Sequence, residues 1–305
     1  VHLNRTLADS DFTTWTKVDH DGELKALFFC HSCSIKLLSK YHYLLLLDCT
    51  YKTNKYKMPL LHITGITGSS KTFSVAFCFL SHETQDYYNW ALQCLLTVFE
   101  SNNIPIPTVF VTDREQALIN SLSTTFPTSS HMLCTWHIQK NLLTNAAKTI
   151  KDKSREKEML KHWNNLIQLP LESEFRLSFE RFASEYGPAF QEYVTTTWLP
   201  VADKYSNAWT KMLPHFGHRT TSRIESAHSF IKTHLLGPQY SFSSVIKMIT
   251  IALEAQSHEI SAQFHQKKIN SLKNLPRIFE NCLGKVTHYA LRQAQRNFSE
   301  VSNVQ

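Results

Sequence analysis

Between Tyr43 and Leu80 the chain sets three apolar segments in a row with only short breaks between them. Tyr43–Tyr51 is a compact run that reaches Asp48, and Leu60–Thr67 is the second. Gly68-Ser-Ser70 then makes a tight turn into the third, Thr72–Leu80. There Phe73, Val75, Phe77 and Phe79 fall at every second position, the period of a strand. Strands this close in sequence leave no room for crossover helices, so they must run as an antiparallel meander.

Beyond Leu80 the period changes. Tyr87, Trp90, Ala91, Cys94, Leu95 and Val98 recur at helical spacing, and Asn102, Asn103 and Pro105 stop that helix. Thr108–Thr112 is a short buried strand halting at Asp113. Ala117, Leu118 and Leu122 mark a helix, His131–Trp136 a fifth strand, and His137–Ile150 opens another helix. Residues 151–215 read as helix throughout, broken at Pro170, Gly187-Pro188 and Pro200, and Ser222–Leu235 and Phe242–Phe264 are further amphipathic helices. Three antiparallel strands followed by alternating helix and strand is the ribonuclease-H-like order. The fold expected is α/β, a mixed five-stranded sheet with flanking helices, interrupted by an all-helical stretch. The expected divisions are a polar lead-in over 1–40, the first part of the core over 41–150, and the helical stretch over 151–215. Completion of the core follows over 216–265, and then a basic C-terminal segment over 266–305.

Charge and cysteines narrow the function. With 32 Lys and Arg against 25 Asp and Glu the chain is basic, which suits a polyanionic partner. Residues 267–296 carry Lys267, Lys268, Lys273, Arg277, Lys285, Arg292 and Arg296 against Glu280 alone, either a phosphate-binding stretch or a solvated helix face. The seven cysteines are odd in number and scattered, several in apolar segments, which favours reduced buried thiols in an intracellular protein. Cys30-His-Ser-Cys33 lacks the second ligand pair that zinc needs. The strongest apolar run, Leu44–Leu47, is far short of the ~20 residues that cross a bilayer, so no membrane partner is expected. Seven glycines supply neither a Walker loop nor a G-x-G-x-x-G, so no nucleotide cofactor is expected. The chain opens on Val1 without a signal-peptide pattern and reads as an internal or trimmed segment.

The chemistry is expected of the carboxylates. Asp48 closes the first strand of the meander and Asp113 closes the fourth strand. If those strands lie side by side and parallel, both acids emerge at one carboxyl edge, where α/β sheets bind ligands. Adjacent carboxylates repel and raise each other's pKa unless cations neutralise them. Mg²⁺ takes hard oxygen ligands, and a pair of such ions can serve both oxygens of a phosphodiester displacement. Glu225 is the candidate third acid. Ile224, Ala227, Ile231 and Leu235 form the apolar stripe of its helix, and Glu225, His228 and Lys232 share the neighbouring polar face. From spacing alone, structural roles are the readier reading for all three. Asp113 and Glu225 each fit a capping box, and Asp48 could open the turn before Lys52.

Asp48-Cys-Thr-Tyr-Lys-Thr-Asn54 followed by Tyr56-Lys-Met-Pro-Leu60 resembles the opening of the Mutator-like element (MULE) transposase domain. Gly65-Ile-Thr67, Phe77 and Tyr88-Asn-Trp90 continue the likeness. So do Thr112-Asp113, Ala117-Leu118, Phe126-Pro127, His131, Leu133-Cys134-Thr-Trp136-His137 and Asn141. Arg219-Thr-Thr-Ser-Arg-Ile-Glu225-Ser-Ala-His228 with Lys232 resembles the family's last acid motif. The resemblance spans about residues 40–235. It implies a DDE transposase whose helical insertion precedes the final catalytic helix, the triad being Asp48, Asp113 and Glu225. These would hold two Mg²⁺ or Mn²⁺ ions, Asp48 bridging both. Cys134, His137 and His228 would support the site, and Arg223, Lys232, Lys267 and Lys268 would contact the DNA backbone. The activity implied is metal-dependent cleavage of double-stranded DNA at transposon ends and strand transfer into target DNA. A homo-oligomer and a nuclear location go with it. The alternative is a domesticated, catalytically silent transcriptional regulator derived from such an enzyme.

Overall fold

The meander forms, and it is the middle of a larger sheet. A computed structural model describes residues 11–148, 150, 152–220, 222–235, 237–269, 275–283 and 285–302. Among them, β1 (Phe12–Val18), β2 (Leu24–His31), β3 (Leu44–Thr50), β4 (Leu60–Ile66), β5 (Thr72–Leu80), β6 (Val109–Thr112) and β7 (Ser130–Leu133) make one sheet, in the order β1-β2-β5-β4-β3-β6-β7. The pairs from β1 through β3 are antiparallel, and β3-β6 and β6-β7 are parallel.

The sheet has seven strands where five were expected. The two additions correct the reading of residues 1–40 as a lead-in. In β2, LKALFFCH is buried along most of its length. A strand covered on both faces reads as a continuous apolar run, without the alternation that betrays a half-exposed one. β1 forms the outer edge, and its Thr-rich, partly exposed sequence gives little apolar signal. The fifth expected strand is also shorter. β7 ends at Leu133, and Trp136 already lies in the next helix.

Helices cover both faces. After α1 (Ser32–Leu38), α2 (Gln85–Ser101) and α3 (Gln116–Thr125) pack Tyr88, Leu92, Leu95, Phe99 and Leu122 against the side bearing Phe28, Leu45, Leu47 and Ile63. α4 (Thr135–Ala146) leads out of the sheet into α5 (Lys153–Leu166), α6 (Glu172–Glu185), α7 (Pro188–Thr197) and the single turn α8 (Asn207–Thr210). This helical block has its own core, with Trp163, Phe175, Phe179, Trp198 and Tyr205 fully or almost fully buried. Its aromatic content therefore packs the block. The chain returns at Arg219, whose carbonyl accepts from both the Thr135 backbone N–H (3.0 Å) and the Thr135 hydroxyl (3.1 Å). α9 (Ser222–Leu235) and α10 (Phe242–Ile269) then cover the opposite face over Phe29, Phe77, Phe79 and Leu60. α11 (His288–Ser302) closes the described chain.

One glycine is set by close approach. Gly65 pairs with Phe73 across β4 and β5, and that ring lies where a side chain would stand. A Cβ on Gly65 would sit 2.5 Å from Phe73 Cζ, and Phe73 is fully buried. Gly65→Ala is expected to destabilise the protein by about 1–3 kcal/mol, the range for overpacking a filled core. A lowered urea midpoint with an unchanged m-value is the measurement that checks it.

Candidate metal centre

Register brings the first two acids level. Leu46 pairs with Val111 in the parallel ladder, so two residues further on Asp48 stands beside Asp113. The alternation also fixes their face. Leu44, Leu46, Val109 and Val111 pack together with Ile224 of α9, so Asp48 and Asp113 continue the row that faces this helix. Glu225 follows Ile224 and reaches the same place from above. Asp48, Asp113 and Glu225, separated by 65 and 112 residues of sequence, line one cavity of about 460 Å³. His137, His228 and Lys232 line it too.

The electrostatics are those of crowded acids. Burial pushes the Asp48 carboxyl up to about 8, and Asp113 and Glu225 add repulsion. Asp113 rises to about 6, chiefly by burial, with Glu115 and Glu83 pushing the same way. Its Oδ1 still accepts from the Glu115 N–H at 3.3 Å, while Glu115 itself caps α3. Asp113 thus stands two residues before the cap, not at the cap position its capping-box pattern suggested. Burial holds His137 down to about 4, with Lys140 adding to the effect, so its ring is neutral near pH 7. His228 is likewise held to about 4 by burial first, then by Lys232 and His137.

A single donor atom from each of Asp48, His137 and Glu225 lies within 4.8 Å of the others, a set that could hold a metal ion. Asp113 lines the cavity outside that set. Behind it, His228 Nδ1 is 3.8 Å from Asp48 Oδ2, and its ring lies 5.3 Å from that of His62, the residue opposite Asp48 on β4.

The remaining sequence candidates divide. Cys134 lies outside the cavity wall, buried among Leu44, Met132 and Ile224, at the N-cap position of α4. It stands at the start of the helix that carries His137. Arg223 faces away from the acids and donates to the Ser70 carbonyl (2.7 Å) and hydroxyl (2.9 Å) at the β4–β5 turn. The side chains of Lys267 and Lys268 lie outside the described residues.

Sequence reasoning missed Glu83, Glu115, Tyr51 and Tyr88, which all line the cavity. Glu83 accepts from the hydroxyls of Tyr51 (2.7 Å) and Tyr88 (3.2 Å). The available signal was its place between the end of β5 and the start of α2, on the same sheet edge as Asp48.

Residues 44–141 match the family model described as the MULE transposase domain. Among curated proteins, the chain is 26% identical over 250 residues to PKS-NRPS hybrid synthetase cheA of Chaetomium globosum, covering 71% of this chain and 5% of that protein. It is 28% identical over 136 residues to Protein FAR1-RELATED SEQUENCE 6 of Arabidopsis thaliana, covering 45% of this chain and 19% of the relative. A longer alignment, 18% identical over 266 residues, joins it to Protein FAR1-RELATED SEQUENCE 11 of the same plant, covering 87% and 38%. The chain thus spans well under half the length of each of these relatives.

Proposed function

With a MULE transposase domain over residues 44–141, we propose that this chain is the catalytic part of a DDE transposase, cutting DNA at transposon ends and transferring the freed strand to target DNA. The observation that carries this reading is the convergence of Asp48, Asp113 and Glu225 on one cavity, with Asp48 buried among like charges. Buried carboxylates that repel are stable as anions only beside a cation. The order β5-β4-β3-β6-β7, antiparallel and then parallel, is also the order that a ribonuclease-H-like core requires.

The donor chemistry fits a divalent cation. Asp48 and Glu225 supply anionic oxygens, and His137 supplies a neutral ring nitrogen within the same 4.8 Å. Such a cation supplies Lewis-acid stabilisation of the phosphodiester's developing charge. A set with an imidazole suits Mn²⁺ better than Mg²⁺, which prefers oxygen throughout. Asp113, beside Asp48 but outside that set, is the residue to hold a second ion. His228 backs Asp48, its Nδ1 3.8 Å from Oδ2. Lys52 and Lys232 at the cavity wall receive phosphate oxygens, contacts that give sequence-blind, salt-dependent affinity. Work on two transposon ends brings in a homo-oligomer, and a nuclear location follows from the DNA substrate.

The test is plasmid nicking by the chain in Mn²⁺, in Mg²⁺ and in EDTA. Nicking is expected with both ions, faster with Mn²⁺, and none in EDTA. Glu225→Gln is expected to lower it by about 100-fold or more, since even groups behind metal ligands are worth 10–100-fold. A wild type that binds duplex tightly and never nicks in either ion overturns catalysis in favour of a silent regulator derived from such an enzyme.

A further inference from the structure

A second, larger cavity of about 1140 Å³ opens at the other end of β3, where Tyr43 and Leu44 begin the strand. Its character is opposite to that of the acid centre. Five carboxylate residues line the acid centre, whereas no described residue lining this cavity is Asp or Glu. Lys40, Arg223 and Lys285 line it, and among the described residues neither lysine has a carboxylate partner. Two of its rings stand open to solvent, Tyr43 at 48% and Phe216 at 59% exposure. Phe216 sits at φ 51°, a left-handed backbone that a bulky residue seldom adopts without a tertiary reason.

The two cavities share a helix. Arg223 and Glu225 are two residues apart on α9, so one lines the second cavity while the other lines the acid centre. Along β3, Tyr43 and Asp48 are separated by five residues, roughly 16 Å of strand. A strand of DNA leaving the acids could cross the first turn of α9 into the second cavity. Cations without counter-charges beside exposed ring faces are the chemistry that holds unpaired nucleotides, phosphates on the cations and bases on the rings.

We propose that this groove binds a single-stranded segment of DNA, its phosphates against Lys40, Arg223 and Lys285 and its bases stacked on Tyr43 and Phe216. This deepens the transposase reading and rests on it for the DNA substrate. It gives the strand opened at the acid centre a place to lie while the duplex remains elsewhere.

Anisotropy of a labelled oligothymidylate of about 12 nucleotides, within the usual range of site sizes, tests the proposal in EDTA. The paired substitution Tyr43→Ala with Phe216→Ala is expected to weaken oligothymidylate binding by about tenfold or more per ring, and duplex binding by less than twofold. The pair Lys40→Gln with Lys285→Gln, both at exposed positions, is expected to lower the slope of log K against log salt by about 1.4, roughly 0.7 per phosphate on single strands. Oligothymidylate bound equally well by folded Tyr43→Ala/Phe216→Ala protein overturns the proposal, as does an unchanged salt slope in the lysine pair. A wild type that holds oligothymidylate through Phe216 but never nicks plasmid supports the groove and overturns catalysis. Nicking by a wild type whose variants bind oligothymidylate unchanged overturns the groove alone.

Discussion

Asp48→Asn is expected to leave duplex binding intact and, on the transposase reading, to lower divalent-ion-dependent nicking by at least about 10²–10³-fold, the scale for removing one charge-stabilising group from a reacting centre. The same substitution is expected to make the metal-free protein more stable. Burial and two neighbouring acids hold the Asp48 proton up to about 8 in the folded state, far above the ordinary carboxyl value. The stability this group contributes is therefore complete below about pH 4 and is lost as pH climbs towards 8. Asp113 adds a loss of the same sign between about pH 4 and 6. An asparagine at 48 carries no proton to lose. Its melting temperature at pH 8 without metal is expected to exceed the wild type's by roughly 5–10 °C, a few kcal/mol in all, since each tenfold change in proton affinity is worth about 1.36 kcal/mol. At pH 4 the two should melt together. Mn²⁺ should raise the wild-type midpoint at pH 8 and leave the variant's almost unmoved. A variant no more stable than wild type at pH 8 contradicts the crowding of these acids.

Trp163→Ala carries the largest expected effect on stability. Trp163 is fully buried at the centre of the helical block, its ring 5.6 Å from Phe182 and 5.4 Å from Tyr205. Truncating such a ring costs about 3–5 kcal/mol. The block's core is separate from the cores beneath the sheet, so the loss should be local. Hydrogen exchange is expected to quicken first in α5–α7 and to stay slow in β3–β5. The acid centre should feel it through one element. Ile138, Leu142 and Ala146 of α4 belong to the block's core, and His137 on that same helix lines the acid cavity. Weaker Mn²⁺ binding by Trp163→Ala at a temperature where the sheet is intact checks that link. Uniform acceleration of exchange across sheet and block contradicts it.

The sequence foretold the elements whose signal is local. The meander was legible because Phe73, Val75, Phe77 and Phe79 alternate, and Asp48 and Asp113 stood out because apolar strands run into them. Glu225 followed from helical spacing beside His228 and Lys232. What escaped depends on approach between distant segments. The two added strands were hidden because a strand covered on both faces and a polar edge strand both lack alternation. Glu83 and Glu115 lie on connecting segments whose direction only the packed helices α2 and α3 determine. His137 was read as support, and only the closeness of α4, β3 and α9 gives its ring a place among possible metal donors. Arg223 sits two residues before Glu225 on the same helix, yet its side chain points to the other cavity and is fastened to Ser70, a direction that spacing alone did not give.

The paired hydrogen bonds from Thr135 to the Arg219 carbonyl have an evolutionary meaning. They fasten the two ends of an 84-residue excursion with a small clasp. Closing a longer excursion costs only about 0.6 kcal/mol per doubling of its length. The helices α5 to α8 between those two ends are therefore a cassette that can be lengthened or exchanged while the clasp keeps the acids in place.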